Sequence, residues 1–140
     1  MAHVSVPKYW HALGQKYRLV AGKCSSCGTL NFPPTPLCKS CNSTDTQQEV
    51  RLKGKGKIYS YTVIGRGAAP PEFTKMQKKS GPYAIAVIEL EEGQKVNAQL
   101  TDLIDPYDIK IGDEVIAVFR QIYEQEDVIR YGLKFRPVIK

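Results

Sequence analysis

From Gly54 onward, the chain has the pattern of β-strands: apolar and polar residues alternate with a two-residue period in several segments, and the segment 83–90 is apolar on both faces. β-Branched and aromatic residues are concentrated in five segments, which glycine, proline or acidic residues separate. These segments predict strands at 57–66, 83–90, 95–101, 114–123 and 128–137. A long first strand, a hairpin between the second and third strands and a short connection before the fourth are typical of an OB-fold barrel. We therefore predict a five-stranded OB-fold domain over residues 53–140.

The last predicted strand has two chemically different faces. Apolar and basic residues alternate along it, so the two sets project to opposite sides of the sheet. The apolar set is Ile129, Tyr131, Leu133 and Phe135, and the basic set is Arg130, Lys134 and Arg136.

At the other end of the chain, the pattern predicts an N-terminal helical segment over residues 1–17. Pro7 suits the first turn of a helix, and Trp10, Leu13 and Tyr17 recur at the spacing of one helical face. Trp10 is interpreted as a packing residue, with the lining of a ligand channel as its alternative role.

Between these segments lie four cysteines, arranged as two Cys-x2-Cys pairs that ten residues separate. They are Cys24, Cys27, Cys38 and Cys41. Each pair can form a tight knuckle that turns two thiolates toward one metal ion, and two knuckles complete a tetrahedron. Such a closed site has no open coordination position. The spacing therefore predicts one structural zinc ion in a ribbon over residues 18–52, rather than a catalytic metal.

Three alternatives to zinc would use the same thiols. A disulfide framework is disfavoured because the N-terminus has no secretory signal pattern. A redox Cys-x2-Cys motif would need a thioredoxin-like βαβ context, which the pattern lacks. A rubredoxin-type iron site uses the same four thiolates, and the sequence does not separate iron from zinc.

The connection Gly67–Pro82, between the first two predicted strands of the barrel, is unusually long. Sixteen residues without secondary structure are uncommon in a compact domain and are usually functional or disordered. This loop carries Lys75, Lys78 and Lys79 close to apolar side chains. We expect it to bind an anionic ligand with an apolar part, or a partner surface; a solvated, mobile loop is the alternative.

Charge is unevenly distributed along the chain. Residues 1–57 contain nine lysines or arginines and two acidic residues, whereas residues 58–140 contain eleven and twelve, within a net charge of +6. The basic front half favours an anionic partner, and a lysine-rich solvated surface is the alternative. The sequence has neither an apolar run of about 18 residues nor a secretory h-region, so we expect no membrane segment and a cytoplasmic location.

Candidate catalytic groups are scarce. The chain has two histidines, both near the N-terminus, and all four cysteines are assigned to the metal. No glycine-rich phosphate loop precedes a predicted helix. We therefore expect a binding protein rather than an enzyme.

The order of these motifs resembles that of one protein family. The motifs are Trp10, Cys24-Ser-Ser-Cys27-Gly28, Phe32-Pro33-Pro34, Cys38-Lys-Ser-Cys41, Gly54-Lys-Gly56-Lys-Ile-Tyr59-Ser-Tyr61-Thr62, Pro82-Tyr83, Glu89-Leu-Glu-Glu-Gly93, Ile111-Gly112-Asp-Glu-Val115 and Phe135-Arg136-Pro137. Over nearly the whole chain, this order resembles the rubredoxin-like zinc-ribbon plus OB-fold family once labelled domain of unknown function thirty-five. Many relatives carry a basic residue where this chain has Thr35, and glycine where it has Asn42.

The resemblance implies a mainly β fold: an N-terminal helical segment, a four-cysteine zinc ribbon and a C-terminal OB-fold barrel. It also implies a non-enzymatic accessory or scaffold protein that binds acyl-CoA. The implied partners are thiolase-like and 3-hydroxy-3-methylglutaryl-CoA (HMG-CoA) synthase-like enzymes of lipid and isoprenoid metabolism.

Coenzyme A needs cations for its phosphates and a narrow apolar slot for its pantetheine arm. The candidate ligand residues are Trp10, Lys75, Lys78, Lys79 and Arg136.

The alternative function is nucleic-acid binding, because zinc ribbons and OB barrels both occur in proteins of that class. In this interpretation Tyr59, Tyr61 and Tyr83 would stack on bases. An iron electron carrier is a third interpretation.

Overall fold

The computed structural model describes residues 7, 10, 17–32, 34–44, 47–125 and 127–138. The chain divides into two compact units, Met1–Lys53 and Gly54–Lys140. The helical segment predicted over residues 1–17 lies almost entirely outside the described residues, so the structure gives that prediction no support. Among the helices that are described, none is long and apolar enough to cross a membrane.

The first unit contains a three-stranded antiparallel sheet with the strand order β2-β1-β3. Its strands are β1 (Val20–Cys24), β2 (Leu30–Asn31) and β3 (Gln47–Arg51). The N–H of Leu52 donates to the carbonyl of Leu19 at 2.7 Å and so extends the pairing beyond the β1–β3 ladder. Leu19, Ala21 and Leu52 are buried beside this sheet. The sheet holds both ends of the cysteine-bearing segment in place.

The second unit is a five-stranded antiparallel sheet with the order β6-β5-β4-β7-β8. Its strands are β4 (Lys55–Ile64), β5 (Tyr83–Leu90), β6 (Lys95–Gln99), β7 (Glu114–Gln125) and β8 (Val128–Pro137). Each strand falls on one of the five predicted segments, so the β-rich prediction is confirmed, with ends that differ by a few residues.

Contacts at Leu100 and Phe135 nearly close this sheet into a barrel. The two residues form a parallel bridge, and the N–H of Thr101 donates to the carbonyl of Phe135 at 2.8 Å. Phe135, Ile58 and Val115 are each at most 2% exposed, as expected for the packed interior of a small barrel.

The segment 67–82 differs from the irregular loop that the sequence predicts. A 3-10 turn at Pro71–Phe73 leads into helix α1 (Thr74–Ser80). Gly81, with φ of 78°, ends the helix, and its N–H donates to the carbonyl of Gln77 at 2.8 Å. Proline at the start of a helical segment and glycine just after it are ordinary signals of helix ends, so the sequence did contain evidence for this helix.

The side chain of Gln77 connects α1 to the residues that follow β4 through hydrogen bonds. This buried side chain accepts a hydrogen bond from the N–H of Gly67 at 3.1 Å and donates one to the carbonyl of Gly65 at 2.6 Å. On the same segment, the ring of Phe73 lies 6.0 Å from that of Tyr83 and 5.7 Å from that of Tyr123. These contacts fix the position of the helix against the barrel strands.

β7 and β8 continue past the point of barrel closure. The pairing of β7 with β4 ends at Ile116, whereas its pairing with β8 runs on to the tip of the hairpin. We call residues 118–133 the hairpin arm. Phe119 and Tyr131 lie on one face of this arm, stacked at 5.6 Å and exposed, whereas Lys134, at its base on the other face, is buried. The predicted alternation along β8 therefore holds, but its apolar face is buried only at the Phe135 end.

Gly56 lies where β4 pairs with both β5 and β7, and a Cβ there would lie 2.5 Å from the carbonyl oxygen of Glu89. We expect Gly56→Ala to lower the free energy of unfolding by about 1–3 kcal/mol, because the β5 backbone must shift. Gly65→Ala is the matched control, since a Cβ there meets nothing within 4 Å. Urea unfolding followed by circular dichroism measures both. Equal midpoints for the two variants would contradict this account of the β4–β5 contact.

Candidate metal centre and ligand cavity

Two loops of nearly identical geometry carry the four cysteines. In the first, the N–H of Gly28 donates to the carbonyl of Cys24 at 2.8 Å; in the second, the N–H of Asn42 donates to the carbonyl of Cys38 at 3.0 Å. Gly28 and Asn42 both have positive φ, at 73° and 59°. Asparagine tolerates this left-handed conformation, so the second knuckle forms without glycine.

The two knuckles bring the four sulfurs together. All four Sγ atoms lie within 4.8 Å of one another, with Cys24 and Cys41, and likewise Cys27 and Cys38, 3.6 Å apart. A tetrahedral site with metal–sulfur distances of about 2.3 Å has sulfur–sulfur edges of about 3.8 Å. The four cysteines are therefore close enough to bind one metal ion, and they fit zinc.

Backbone hydrogen bonds lower the pKa of the thiols, whereas neighbouring sulfurs raise the pKa of Cys41. The backbone N–H of Cys41 bonds to the Cys38 sulfur and is the main cause that lowers the pKa of Cys38 to about 6. At Cys41, the N–H of Ser43 lowers the pKa, but the neighbouring sulfurs, first that of Cys24, raise it to about 12. Ionising all four thiols together therefore requires a cation among them, the role that zinc has in a structural site.

One residue that supports the metal centre, Asn31, was not among those predicted from the sequence. Asn31 is fully buried; its Oδ1 accepts a hydrogen bond from the N–H of Lys39 at 3.1 Å, and its side chain also bonds to Cys38 and lowers the pKa of that thiol. A polar residue at an otherwise apolar strand position, seven residues before a ligand, was the available signal.

A cavity of about 550 Å³ lies in the second unit, between α1, the connection that follows β6, and the β7–β8 pair. We call it the α1 cavity. Lys75 and Lys79, one helical turn apart, line it together with Lys134. Its lining includes neither Lys78, on the same helix, nor Arg136. The structure thus brings together two of the predicted ligand lysines.

The remaining predicted ligand residues lie elsewhere. Trp10 belongs to the first unit and is 68% exposed. Arg136 lies on β8 opposite Ile116, and its buried Nε has no hydrogen-bond partner among the described residues. Neither observation assigns a ligand to these two side chains.

The tyrosines proposed to stack on bases are only partly available. Tyr83 is 7% exposed, and burial raises the pKa of its hydroxyl. Tyr59 and Tyr61 remain exposed, and the ammonium of Lys95 lies 4.0 Å from the centroid of the Tyr59 ring. A base-stacking surface would therefore have to form without Tyr83.

A four-cysteine ribbon followed by a nearly closed five-stranded barrel defines the class of this protein. Residues 11–47 match the family described as ChsH2, rubredoxin-like zinc ribbon domain, and residues 49–120 match the family described as ChsH2, C-terminal OB-fold domain. The chain belongs to the DUF35 family of zinc-ribbon and OB-fold proteins, as its motif order predicted.

Relatives of the chain carry names that concern scaffolding and thiolases. It is 42% identical to a DUF35 domain-containing scaffold protein of Methanocaldococcus jannaschii, over 95% of this chain and 91% of that protein. It is 34% identical to the benzoylsuccinyl-CoA thiolase subunit BbsA of Geobacter metallireducens, over 61% of this chain and 51% of the subunit. A solved structure described as Ltp2-ChsH2(DUF35) aldolase is similar with a TM-score of 0.71 and 30% identity, covering 99% of this chain and 100% of that one.

We expect Asn31→Ala to lower zinc affinity about 10–100-fold, because the Cys38 sulfur and the Lys39 N–H lose their shared partner. Ser40→Ala, which changes an exposed side chain within the same knuckle, should bind zinc like the wild type. Competition with a chromophoric chelator measures both affinities. Wild-type affinity in the Asn31 variant would show that this hydrogen bond does not support the metal site.

Proposed function

We propose that this protein is a non-enzymatic scaffold subunit that docks to a thiolase-like enzyme. Its relatives support this proposal: one is named a scaffold protein, another a subunit of a thiolase, and a similar solved structure is named an Ltp2-ChsH2(DUF35) aldolase. The convergence of all four thiols on one closed site supports a structural rather than a catalytic use of cysteine. In this proposal Cys24, Cys27, Cys38 and Cys41 hold one zinc ion that stabilises the ribbon.

The observation that carries the proposal is the apolar surface of the hairpin arm. Phe119 and Tyr131 stack nearly parallel, at 12°, yet are 49% and 41% exposed, and Ile129, on the same face of β8 as Tyr131, is 44% exposed. Contiguous exposed apolar surface marks interaction sites, and aromatic residues are enriched in protein interfaces. Such an arm also gains from a partner, because a two-stranded ribbon is marginal by itself.

A thiolase-like enzyme is the partner that we propose for this surface, because thiolase appears in the name of a relative. The HMG-CoA-synthase-like partner implied by the motif order stays a prediction, as does a role in lipid and isoprenoid metabolism. The basic charge of the chain also suits nucleic acid, but with Tyr83 buried that alternative loses one of its three predicted stacking residues.

We expect the double substitution Phe119→Ser and Tyr131→Ser to weaken the complex with the host's thiolase-like enzyme by about 30-fold or more. Truncating a central aromatic anchor costs about 2 kcal/mol or more at an interface. Tyr59→Ser is the matched control, because it removes an aromatic ring of similar exposure, 52%, on β4. Biolayer interferometry with the two purified proteins measures the affinities. If the double variant binds as tightly as Tyr59→Ser, the hairpin arm is not the docking surface.

The finer part of the proposal is acyl-CoA binding at the α1 cavity. Lys75 and Lys79 are exposed at this cavity, and Met76 between them contributes an apolar wall. Lysine ammonium groups suit phosphates, and an adjoining apolar cleft suits a pantetheine or acyl chain. This arrangement supports a ligand with an anionic head and an apolar part.

We expect Lys75→Ala with Lys79→Ala to weaken acetoacetyl-CoA binding about tenfold or more, with a marked dependence on salt. Charge-assisted contacts to phosphate contribute about 1.5–3 kcal/mol each, and about 1.4 kcal/mol corresponds to tenfold. Lys78→Ala, from the same helix but outside the cavity lining, should bind like the wild type. Isothermal titration at two ionic strengths measures both. Equal losses in the two variants would point to overall charge rather than to this cavity.

A further inference from the structure

Lys134 has an environment that is unusual for a lysine. It lies on β8 opposite Val118, is 5% exposed and lines the α1 cavity. Its Nζ lies 3.8 Å from the thioether sulfur of Met76, which is a weak acceptor. A buried ammonium group is costly unless it is paired, so this side chain lacks the partner that its charge requires.

The charges around Lys134 do not supply that partner. The nearby carboxylate of Asp102 is already bound to Arg120, whose Nη2 lies 3.1 Å from Oδ2. Glu72 and Glu124 also line the cavity, but no carboxylate of the described residues forms an ion pair with Lys134. Burial and then Arg120 lower the pKa of Lys134, whereas Asp102 raises it.

Polar and apolar side chains share the lining of the cavity about equally. Met76, Leu103, Ile104 and Tyr123 line the cavity, and the Ile104 side chain is fully exposed at its rim. A cavity of about 550 Å³ is large enough for a small organic molecule. The cavity thus combines a buried lysine, which forms no ion pair among the described residues, with apolar surface that suits hydrocarbon.

We propose that Lys134 is a further anion-binding residue of the α1 cavity, deeper than Lys75 and Lys79, and that it takes the carboxylate or phosphate group of a small molecule whose apolar part contacts Met76 and Tyr123. Such a ligand supplies the missing counter-charge and covers the exposed apolar rim. The inference goes beyond the proposed function, because it requires neither coenzyme A nor an enzyme partner. Lys75 and Lys79 lie at the exposed edge of the cavity, whereas Lys134 is buried.

The test uses the full chain with carbon-13 at the lysine side chains, titrated separately with sodium hexanoate and with inorganic phosphate. Lys134→Met, which keeps an unbranched side chain one atom shorter and removes the charge, assigns the Lys134 signal. We expect one or both anions to shift the Lys134 signal to saturation. In Lys134→Met, where that signal is absent, the signals of Lys75 and Lys79 at the same cavity report binding, and we expect the affinity to fall at least tenfold. Lys78→Met is the matched control and should bind like the wild type. A response to hexanoate identifies a carboxylate ligand, and a response to phosphate identifies a phosphate ligand.

A second measurement is independent of the choice of anion. If the ammonium of Lys134 is unpaired in the free protein, Lys134→Met should raise the midpoint of urea unfolding, because the buried charge is removed while the packing volume is kept. A lowered midpoint would overturn the proposal, since the charge would then be satisfied within the protein. A Lys134 signal that millimolar hexanoate and phosphate both leave unchanged would overturn it as well. Loss of anion binding with an intact thiolase complex would separate this inference from the proposed scaffold function.

Discussion

The second unit depends on a single point of closure, where Leu100 meets Phe135. β6 is short and ends at Gln99, and among the described residues the backbone pairing between the two edge regions consists of this bridge and the hydrogen bond from Thr101. Closing a sheet removes the exposed edges that invite unspecific pairing. The longer strands β7 and β8 continue beyond this point of closure and form the hairpin arm. The two faces of the arm have different surroundings.

Helix α1 and the α1 cavity adjoin one face of the hairpin arm. Gln77 anchors the helix to the end of β4, and Phe73 packs its leading turn against Tyr83 and Tyr123. The space left between the helix and the strands is the cavity that Lys134 lines. The opposite face carries the stacked Phe119 and Tyr131 and is left to solvent. The α1 cavity and the apolar face proposed for docking thus lie on the two sides of one hairpin.

The strands and the metal site could be predicted because their signals are local. Alternation with period two determines which residues of β8 share a face, and the Cys-x2-Cys spacing determines how sulfurs converge in a knuckle. What covers a face is decided by residues far away in sequence. Tyr131 and Phe135 share a face of β8, yet one is exposed and the other buried, because the barrel encloses only the Phe135 end. The burial of Lys134 also depends on a distant segment. Its Nζ lies next to Met76 of helix α1, and this helix lies in the segment that the sequence predicts to be an irregular loop.

The residues that we propose as binding residues do not stabilise the isolated chain. An exposed aromatic pair and a buried, unpaired ammonium group both raise the free energy of the isolated chain. By contrast, the buried Asn31 and Gln77 have their hydrogen bonds satisfied and hold the ribbon and α1 in place. Hydrogen-bonded polar groups of this kind are what a stable interior requires, whereas unpaired or uncovered groups indicate a missing partner. On this physical ground, we propose that the hairpin arm and Lys134 are the places where partners bind: an apolar protein surface at the arm, and an oxyanion with an apolar body in the cavity.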